Sequence, residues 1–282
     1  MNIPGIENQS TARVSKVEDL GERLRRITFA VDEFETLNRP GVPDEAVGIY
    51  FPDTVDPLDP SGLPQGRNYS IRAVEGSSVV IDFVLHDRGV ATTWARGVAV
   101  GDEVALVMPR SWYEPPADAA WQLLVADLTG LPALARILEE ADTDAELHVI
   151  LEVDDKDSVN HLPHRDDVKV TVSAGTGNGH AQSVLGDLVA AFDVPSGRGY
   201  CWFAGEASES RSVRKHFRKN HGFGTDQLDV LGYWRVDAER YEKRYAEVSD
   251  EMYAVYQRAI DEGKSDRVAR IEFDEALEEL GL

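Results

Sequence analysis

The spacing of apolar residues changes at Pro115-Pro116. Before the two prolines, Val14, Val17, Leu24, Ile27 and Phe29 alternate as in strands, and further strands are predicted at Val47–Phe51, 67–74, 78–86 and 103–108. Gly76-Ser77 supplies a turn between the 67–74 and 78–86 runs, while Pro52, Pro57, Pro60 and Pro64 mark a proline-rich loop. A single short helix is expected at 91–98. Consecutive strands with so little helix predict an antiparallel β-barrel.

After the prolines, strands and helices alternate. The apolar run Trp121–Ala126 precedes a helix near 131–140, followed by strands Glu146–Val153 and Val168–Val172. Then come a helix over 181–192, strand Tyr200–Phe203, a helix over 207–219 and strand Gln227–Tyr233. That order predicts an α/β architecture, a parallel sheet with crossover helices. The tail differs again: Tyr241, Tyr245, Val248, Met252, Val255, Tyr256 and Ala259 form one helical stripe, Gly263 is a stop, and a second helix bears Phe273, Leu277 and Leu280. The expected division is a barrel domain at 1–117, an α/β domain at 118–236 and a helical extension at 237–282. The extension is read as an appendage packed on the second domain, with a partner-binding or dimer-forming arm as the alternative.

The net charge of −22 repels phosphate backbones and makes nucleic acid a poor partner. An acidic chain that takes an anionic ligand must hold it with local cations and backbone N–H groups. One cysteine, Cys201, rules out an intramolecular disulfide and suits a reducing cytoplasm, and its mid-strand position predicts a buried small hydrophobe. The first residues show no secretory pattern, and no run approaches ~18 apolar residues, so no membrane span is expected.

Four segments bear on chemistry. In Arg67-Asn68-Tyr69-Ser70-Ile71-Arg72, successive side chains of a strand alternate faces. A flavin site requires an aromatic face against the ring, a hydrogen-bond partner near the ring nitrogen that takes up hydride, and cations for the pyrophosphate. Tyr69, Ser70 and Arg67 are candidates for these, in that order. The second segment ends a strand at His86, turns at Gly89 and starts a helix at Ala91-Thr92-Thr93, where free N–H groups and hydroxyls suit a pyrophosphate. The third, Asp127-Leu128-Thr129-Gly130, and the fourth, Gly205-Glu206, end buried strands where open parallel sheets bind ligands. Helix 207–219 is basic, with Arg211, Arg214, Lys215, His216, Arg218 and Lys219, and reads either as a solvated face or as a phosphate holder. His161 and His164 lack companion ligands and are not read as a metal site, and Gly175–Gly179 lacks the ending of a P-loop and reads as a flexible loop.

Taken together, R-N-Y-S-I-R at 67–72, D-F-V-L-H at 82–86, G-V-A-T-T-W at 89–94, G-D at 101–102, M-P-R at 108–110, L-P-A at 131–133, A-G-E-A at 204–207 and G-Y-W-R at 232–235 resemble the siderophore-interacting protein family. This is a branch of the ferredoxin–NADP reductase superfamily. The resemblance implies an N-terminal FAD-binding barrel, a C-terminal nucleotide-binding domain, and reduction of ferric siderophores by NADH, NADPH or a ferredoxin-like donor. It implies FAD contacts at Arg67, Asn68, Tyr69, Ser70, Asp82, Val84, His86, Gly89, Ala91, Thr92 and Thr93. Asp127, Thr129, Gly130, Gly205 and Glu206 would border the nicotinamide nucleotide, with Arg211 as a further cation. Arg110 and Arg235 are candidates for an anionic ferric siderophore. The chain departs from the family at Asp127-Leu128-Thr129-Gly130, where Asp-Glu-Thr-Ala is usual, and at Met108-Pro109-Arg110-Ser111, where Gly-Pro-Arg-Gly is usual. A Trp-x-x-Arg common after the third strand of the second domain is replaced by Val172-Ser173-Ala174-Gly175, which removes a cation for the 2′-phosphate of NADPH. Two other activities are compatible with these residues: a flavin or electron-transfer reductase with a protein acceptor, and a flavin-binding interaction protein with little turnover.

Overall fold

The computed structural model describes residues 3, 6, 9–55, 62–236 and 238–282. Seven antiparallel strands come first: β1 (Gln9–Asp19), β2 (Leu24–Val31), β3 (Ala46–Val55), β4 (Pro64–Ser70), β5 (Ala73–Glu75), β6 (Ser78–Val84) and, after helix α1 (Val90–Gly97), β7 (Glu103–Arg110). Their order is β4-β3-β7-β1-β2-β6-β5. The expected strand at 67–74 is in fact one bent run. Its first half pairs with β3, and after Ile71-Arg72 its second half pairs with β6. The Ile71 N–H donates to the Glu45 carbonyl and the Arg72 N–H to the Val80 carbonyl, both at 2.8 Å, so one segment joins the two edges and closes the sheet. Ile27, Phe29, Ile49, Phe51, Ile81 and Phe83 fill the interior. Trp94 of α1 plugs it, stacked on Phe29 at 6.2 Å and leaning on Phe51 at 5.1 Å. Of the proline-rich loop, Pro52 lies in β3 and Pro64 in β4, while Pro57 and Pro60 fall outside the described residues.

The parallel sheet comprises β8 (Trp121–Ala126), β9 (Glu146–Val153), β10 (Val168–Ala174), β11 (Gly199–Glu206) and β12 (Leu228–Trp234), ordered β10-β9-β8-β11-β12. Both faces of its centre are buried, which is why β8 reads as a continuous apolar run. Leu124 and Ala126 face α2 (Leu131–Glu140), and Leu123 and Val125 face α3 (Leu185–Ala190) and α4 (Ala207–Asn220). Cys201 is fully buried in β11, as its position predicts. Gly130 admits α2 at this distance, because a Cβ there would lie 2.3 Å from the Ala204 carbonyl oxygen. The helix expected over 181–192 is shorter, since the Glu152 carboxylate takes the Ser183 hydroxyl and the Val184 N–H, both at 2.8 Å, and delays its start.

The tail folds as α5 (Ala238–Asp261) and α6 (Asp266–Glu279), which share Met252, Leu277 and Leu282 as a small core. Gly263, at φ 79°, reverses the chain: its N–H reaches the Ile260 carbonyl, and that of Lys264 reaches the Ala259 carbonyl. The basic residues of α4 divide: Lys215 and Lys219 are exposed, whereas α6 docks on the arginines. Arg214 pairs with Asp274 at 3.0 Å and Glu278 at 2.7 Å, Arg218 pairs with Glu275, and Arg211 donates to the Leu282 carbonyl at 3.1 Å. No helix among the described residues is long and apolar enough to cross a membrane.

Buried polar struts join the barrel to the parallel sheet. Arg136 of α2 donates to Glu45 at 2.9 Å and to the Ile71 carbonyl at 3.1 Å, and Glu45 also pairs with Arg39. Asp44 accepts the Trp112 and Tyr113 N–H groups and the Trp202 indole at 3.3 Å. Arg23–Asp154 and Arg72–Glu139, both at 2.6 Å, flank these contacts. Arg136→Ala removes one of two cations from the fully buried Glu45. The expected loss is about 3 kcal/mol, read from the urea midpoint.

Candidate functional site

Strand alternation sets the faces of the β4 end. Arg67 and Asn68 are exposed, Tyr69 is half-buried against Phe83 with ring centroids 4.3 Å apart, and Ser70 is buried. The Ser70 hydroxyl donates to the Tyr233 phenol of β12 at 3.2 Å, linking the barrel to the last strand of the parallel sheet. Burial raises both phenols, Tyr69 and Tyr233, above the ordinary tyrosine value.

Beyond β6, the His86 N–H donates to the Thr92 hydroxyl at 3.2 Å and pins the turn before α1. Gly89 stands at φ 124° with open space where a Cβ would lie, and no side chain caps α1. The first N–H groups of this helix are therefore available to an anion. Ala91 and Thr92 are buried and Thr93 is exposed. Burial, then Arg23 and His180, lower the His86 imidazole, whose ring lies 6.1 Å from Trp234. Asp82 is placed differently from these: both its oxygens are taken by Arg26 at 2.7 Å. Val84 is buried in the core that the barrel shares with the parallel sheet.

The neighbours of β8 are β9 and β11, so the strand order reverses there and leaves a crevice at the carboxyl ends. Asp127 occupies it. One oxygen accepts the Thr129 N–H at 2.8 Å, the Thr129 hydroxyl at 2.6 Å and the Gly130 N–H at 3.3 Å, and the other accepts the Trp234 indole at 2.6 Å. Burial pushes its carboxyl up to about 6 despite these donors. Gly205 faces it, where a Cβ would meet Asp127 Oδ2 at 2.9 Å. Glu206 caps α4 by accepting the Ser208 N–H at 2.5 Å, so a carboxylate already occupies that helix start. Leu128, where the resemblance leads one to expect an acid, is buried. The 175–179 loop, expected to be flexible, is tied down: Asn178 accepts the Leu128 N–H at 3.0 Å and donates to the Glu152 carbonyl at 3.3 Å.

A cavity of about 680 Å³ opens beside Asn68, Tyr69 and Ser70, between the barrel, the edge strand β12 and α6. Arg110 lines it, with a buried Nε that has no hydrogen-bond partner. Burial and the nearby Arg270 guanidinium pull Arg110 below the ordinary arginine value. Arg235, the other candidate cation, lies over the Tyr241 ring at 3.8 Å instead and does not line the cavity. Sequence reasoning missed Arg267 and Arg270, which do line it. Their signal was a basic pair three residues apart on an otherwise acidic helix. Among the described residues no three His, Cys, Asp or Glu side chains gather as a metal site, and His164 is exposed beside Asp166.

A model described as siderophore-interacting protein matches residues 119–237, and one described as siderophore-interacting FAD-binding domain matches residues 56–113. The chain is 26% identical over 239 residues to the NADPH-dependent ferric-chelate reductase of Escherichia coli, covering 79% of this chain and 91% of that protein. It is 28% identical over 201 residues to the ferric vibriobactin reductase of Vibrio cholerae, covering 69% and 74%. The solved siderophore-interacting protein SipS of Aeromonas hydrophila superposes with TM-score 0.69 at 26% identity, covering 82% of this chain and 99% of that one. The siderophore-interacting protein of Acinetobacter baumannii shares the fold, with TM-score 0.72 at 24% identity, covering 87% and 99%.

The raised Asp127 carboxyl makes stability depend on pH. Folded, it holds its proton up to about pH 6, whereas the unfolded chain releases it near 3.8. Folding therefore binds a proton in that window, and this group's contribution declines as pH rises from about 4 to about 6. Urea midpoints across that range should fall with pH in the wild type and fall less steeply in Asp127→Asn. Parallel slopes would show that Asp127 is ionised throughout.

Proposed function

The chain belongs to the siderophore-interacting protein family, and on that premise we propose that it is an FAD-dependent reductase that passes electrons from NADH or NADPH to a ferric siderophore, releasing the iron as Fe²⁺. The observation that supports this most is the placement of Tyr69 and Ser70. Tyr69 packs on Phe83 of the strand that leads to an uncapped helix start, and Ser70 is hydrogen-bonded to Tyr233 of β12.

The residues present fit a flavin dinucleotide. Gly89 leaves room at the start of α1, whose open N–H groups, with the exposed Arg67, suit a pyrophosphate. The half-buried Tyr69 ring, backed by Phe83, offers a flat support, and the Ser70 hydroxyl supplies a hydrogen bond beside it. When bound, FAD accepts two electrons as hydride from the nicotinamide and hands them on singly to two ferric ions, releasing one proton. Oxygen-rich chelators bind Fe²⁺ far more weakly than Fe³⁺, so reduction frees the metal without a protein iron ligand.

The work is divided as the sequence leads one to expect, with FAD on 1–117, the nucleotide on 118–236 and the tail on 237–282. Asp127, Thr129, Gly130, Gly205 and Glu206 border the nicotinamide nucleotide. Asp82 acts through its ion pair with Arg26 of β2, and Val84 through packing in the core that the barrel shares with the parallel sheet. We place the reaction in the cytoplasm, which suits a single, buried, unpaired cysteine.

Three outcomes test the reading. FAD-loaded protein should bleach under NADH or NADPH without oxygen and regain colour on adding a ferric siderophore. Bleaching by nucleotide without reoxidation by the ferric siderophore points to a protein acceptor, and bleaching by reduced ferredoxin but not by nucleotide points to a ferredoxin-like donor. Tyr69→Ala should weaken FAD binding by ~1–3 kcal/mol, by analogy with base stacking, and unchanged affinity would make Tyr69 a core residue only.

Nucleotide preference follows from the 173–183 loop, which has no Lys or Arg and closes around Glu152. Arg211 is held by the Leu282 carbonyl. No strong preference for NADPH is expected. Flavin reduction rates that favour NADPH by more than ~100-fold, about 2.7 kcal/mol, would require another cation at the 2′-phosphate, and Arg211→Ala would identify it.

A further inference from the structure

Two imidazoles meet at the far end of α4, outside the sites described above. His216 lies in the last turns of the helix, and His221 is its C-cap. Their Nε2 atoms stand 3.2 Å apart and their ring centroids 4.8 Å apart. Both rings rest on the buried Phe217, whose centroid is 5.2 Å from His216 and 5.8 Å from His221. Phe217 is itself held by Phe223, 4.8 Å away. Gly222, at φ 69°, reverses the chain after His221, and the Phe223 N–H returns to the Phe217 carbonyl at 3.2 Å. The pair is therefore fixed from below by a packed ring and from behind by a closed turn.

A neutral imidazole has one N–H and one lone pair. Two Nε2 atoms this close share either a proton or a cation. The side-chain amide of Asn220 lies 3.3 Å from His216 Nδ1. With its oxygen turned to the ring, the amide accepts the Nδ1–H and leaves the lone pair at Nε2, facing His221. Metal-bound imidazoles are oriented in the same way, by an acceptor on the other ring nitrogen. Two imidazole nitrogens on one tetrahedral centre, each about 2.0–2.1 Å from the metal, stand roughly 3.3 Å apart. The separation observed here matches that span. The carboxyl end of a helix dipole also favours a cation. Of the nearby cations, Arg218 is paired with Glu275, while Lys215 and Lys219 are exposed to screening water.

We propose that His216 and His221 chelate one divalent transition-metal ion, with water in its remaining positions. Nitrogen donors select Zn²⁺, Cu²⁺ or Ni²⁺ over Mg²⁺ and Ca²⁺, which take oxygen. Two protein ligands, rather than the four of a structural zinc site, make the ion exchangeable. Once bound, it ties the last turns of α4 to their capping residue. The site takes no part in turnover. The 14 residues of α4 begin at the crevice, beside Glu206, and their length of ~21 Å separates the pair from it. The proposal does not depend on the reductase reading.

The test titrates Zn²⁺ alone into untagged full-length protein, with and without FAD, by calorimetry and by melting temperature. One ion per chain should bind and raise the melting temperature. His216→Ala and His221→Ala should each weaken binding at least ~10-fold, and Asn220→Ala by ~10-fold through the lost orienting contact. The double variant His216→Ala/His221→Ala should be no weaker than either single one, because one substitution already abolishes the chelate. Without metal all these variants should melt with the wild type, and His164→Ala, on an exposed histidine elsewhere, should bind as the wild type does. Wild-type protein that takes up no Zn²⁺ overturns the proposal and leaves the pair as a hydrogen bond. Small, additive losses in the single variants, an equal loss in His164→Ala, or displacement by equimolar Mg²⁺ overturn it as well, and assign the binding to scattered surface groups.

Discussion

The geometry of the molecule depends on a buried ion pair between Glu45, fully buried, and Arg136 of α2. Two charges taken out of water are costly, and they persist here because each is held by several partners. Arg39 and the Gly41 N–H complete the shell of Glu45, and Glu140 and the Ile71 carbonyl complete that of Arg136. Ile71 follows Ser70 in the chain, so the Arg136 guanidinium of α2 fixes the backbone just past the end of β4 directly. The preceding residue, Asp44, holds the Trp112 and Tyr113 N–H groups and so fixes the segment that leads from β7 toward the parallel sheet. Two consecutive acids thus set the distance between Ser70 and Tyr233, and with it the alignment of the barrel with the crevice.

The sheet types were legible because burial on one face or both leaves different apolar spacings, and Pro115-Pro116 separates the two patterns. The closure of the barrel was not, since Ile71-Arg72 reads as uninterrupted strand and the change of pairing partner at that point involves residues far away in sequence. Asp44 and Glu45 follow Pro40, Gly41 and Pro43, and nothing local distinguishes buried loop acids from solvated ones. Of the candidate site, the positions of Tyr69, Ser70, Gly89 and Asp127 were readable because they end strands or start helices. The partners that orient them, Tyr233 for Ser70 and Trp234 for Asp127, are more than a hundred residues away. Arg110 and Arg235 looked equivalent as cations, and only the tail separates them, by placing Tyr241 under one and Arg270 beside the other.

The strong negative charge is also organised. Arg214 and Arg218 of α4 are covered by the acidic face of α6, so an excess that would repel a free tail instead attaches it. These contacts are partly exposed, and each adds little by itself. Together with the apolar core that α5 and α6 share, they position a helix that would be marginal alone.

That positioning passes through the short turn at Gly263. A helix advances about 100° per residue, so the turn sets the rotational phase of α6 as well as its direction. One residue more or fewer between α5 and α6 would leave both helices intact while swinging Arg267 and Arg270 to another side. Loop length in this tail is thus a coarse dial for the charge of the cavity wall that begins two residues later at Ser265. Lineages that vary only the turn, with every strand of the two sheets unchanged, would present a differently charged wall to the same space.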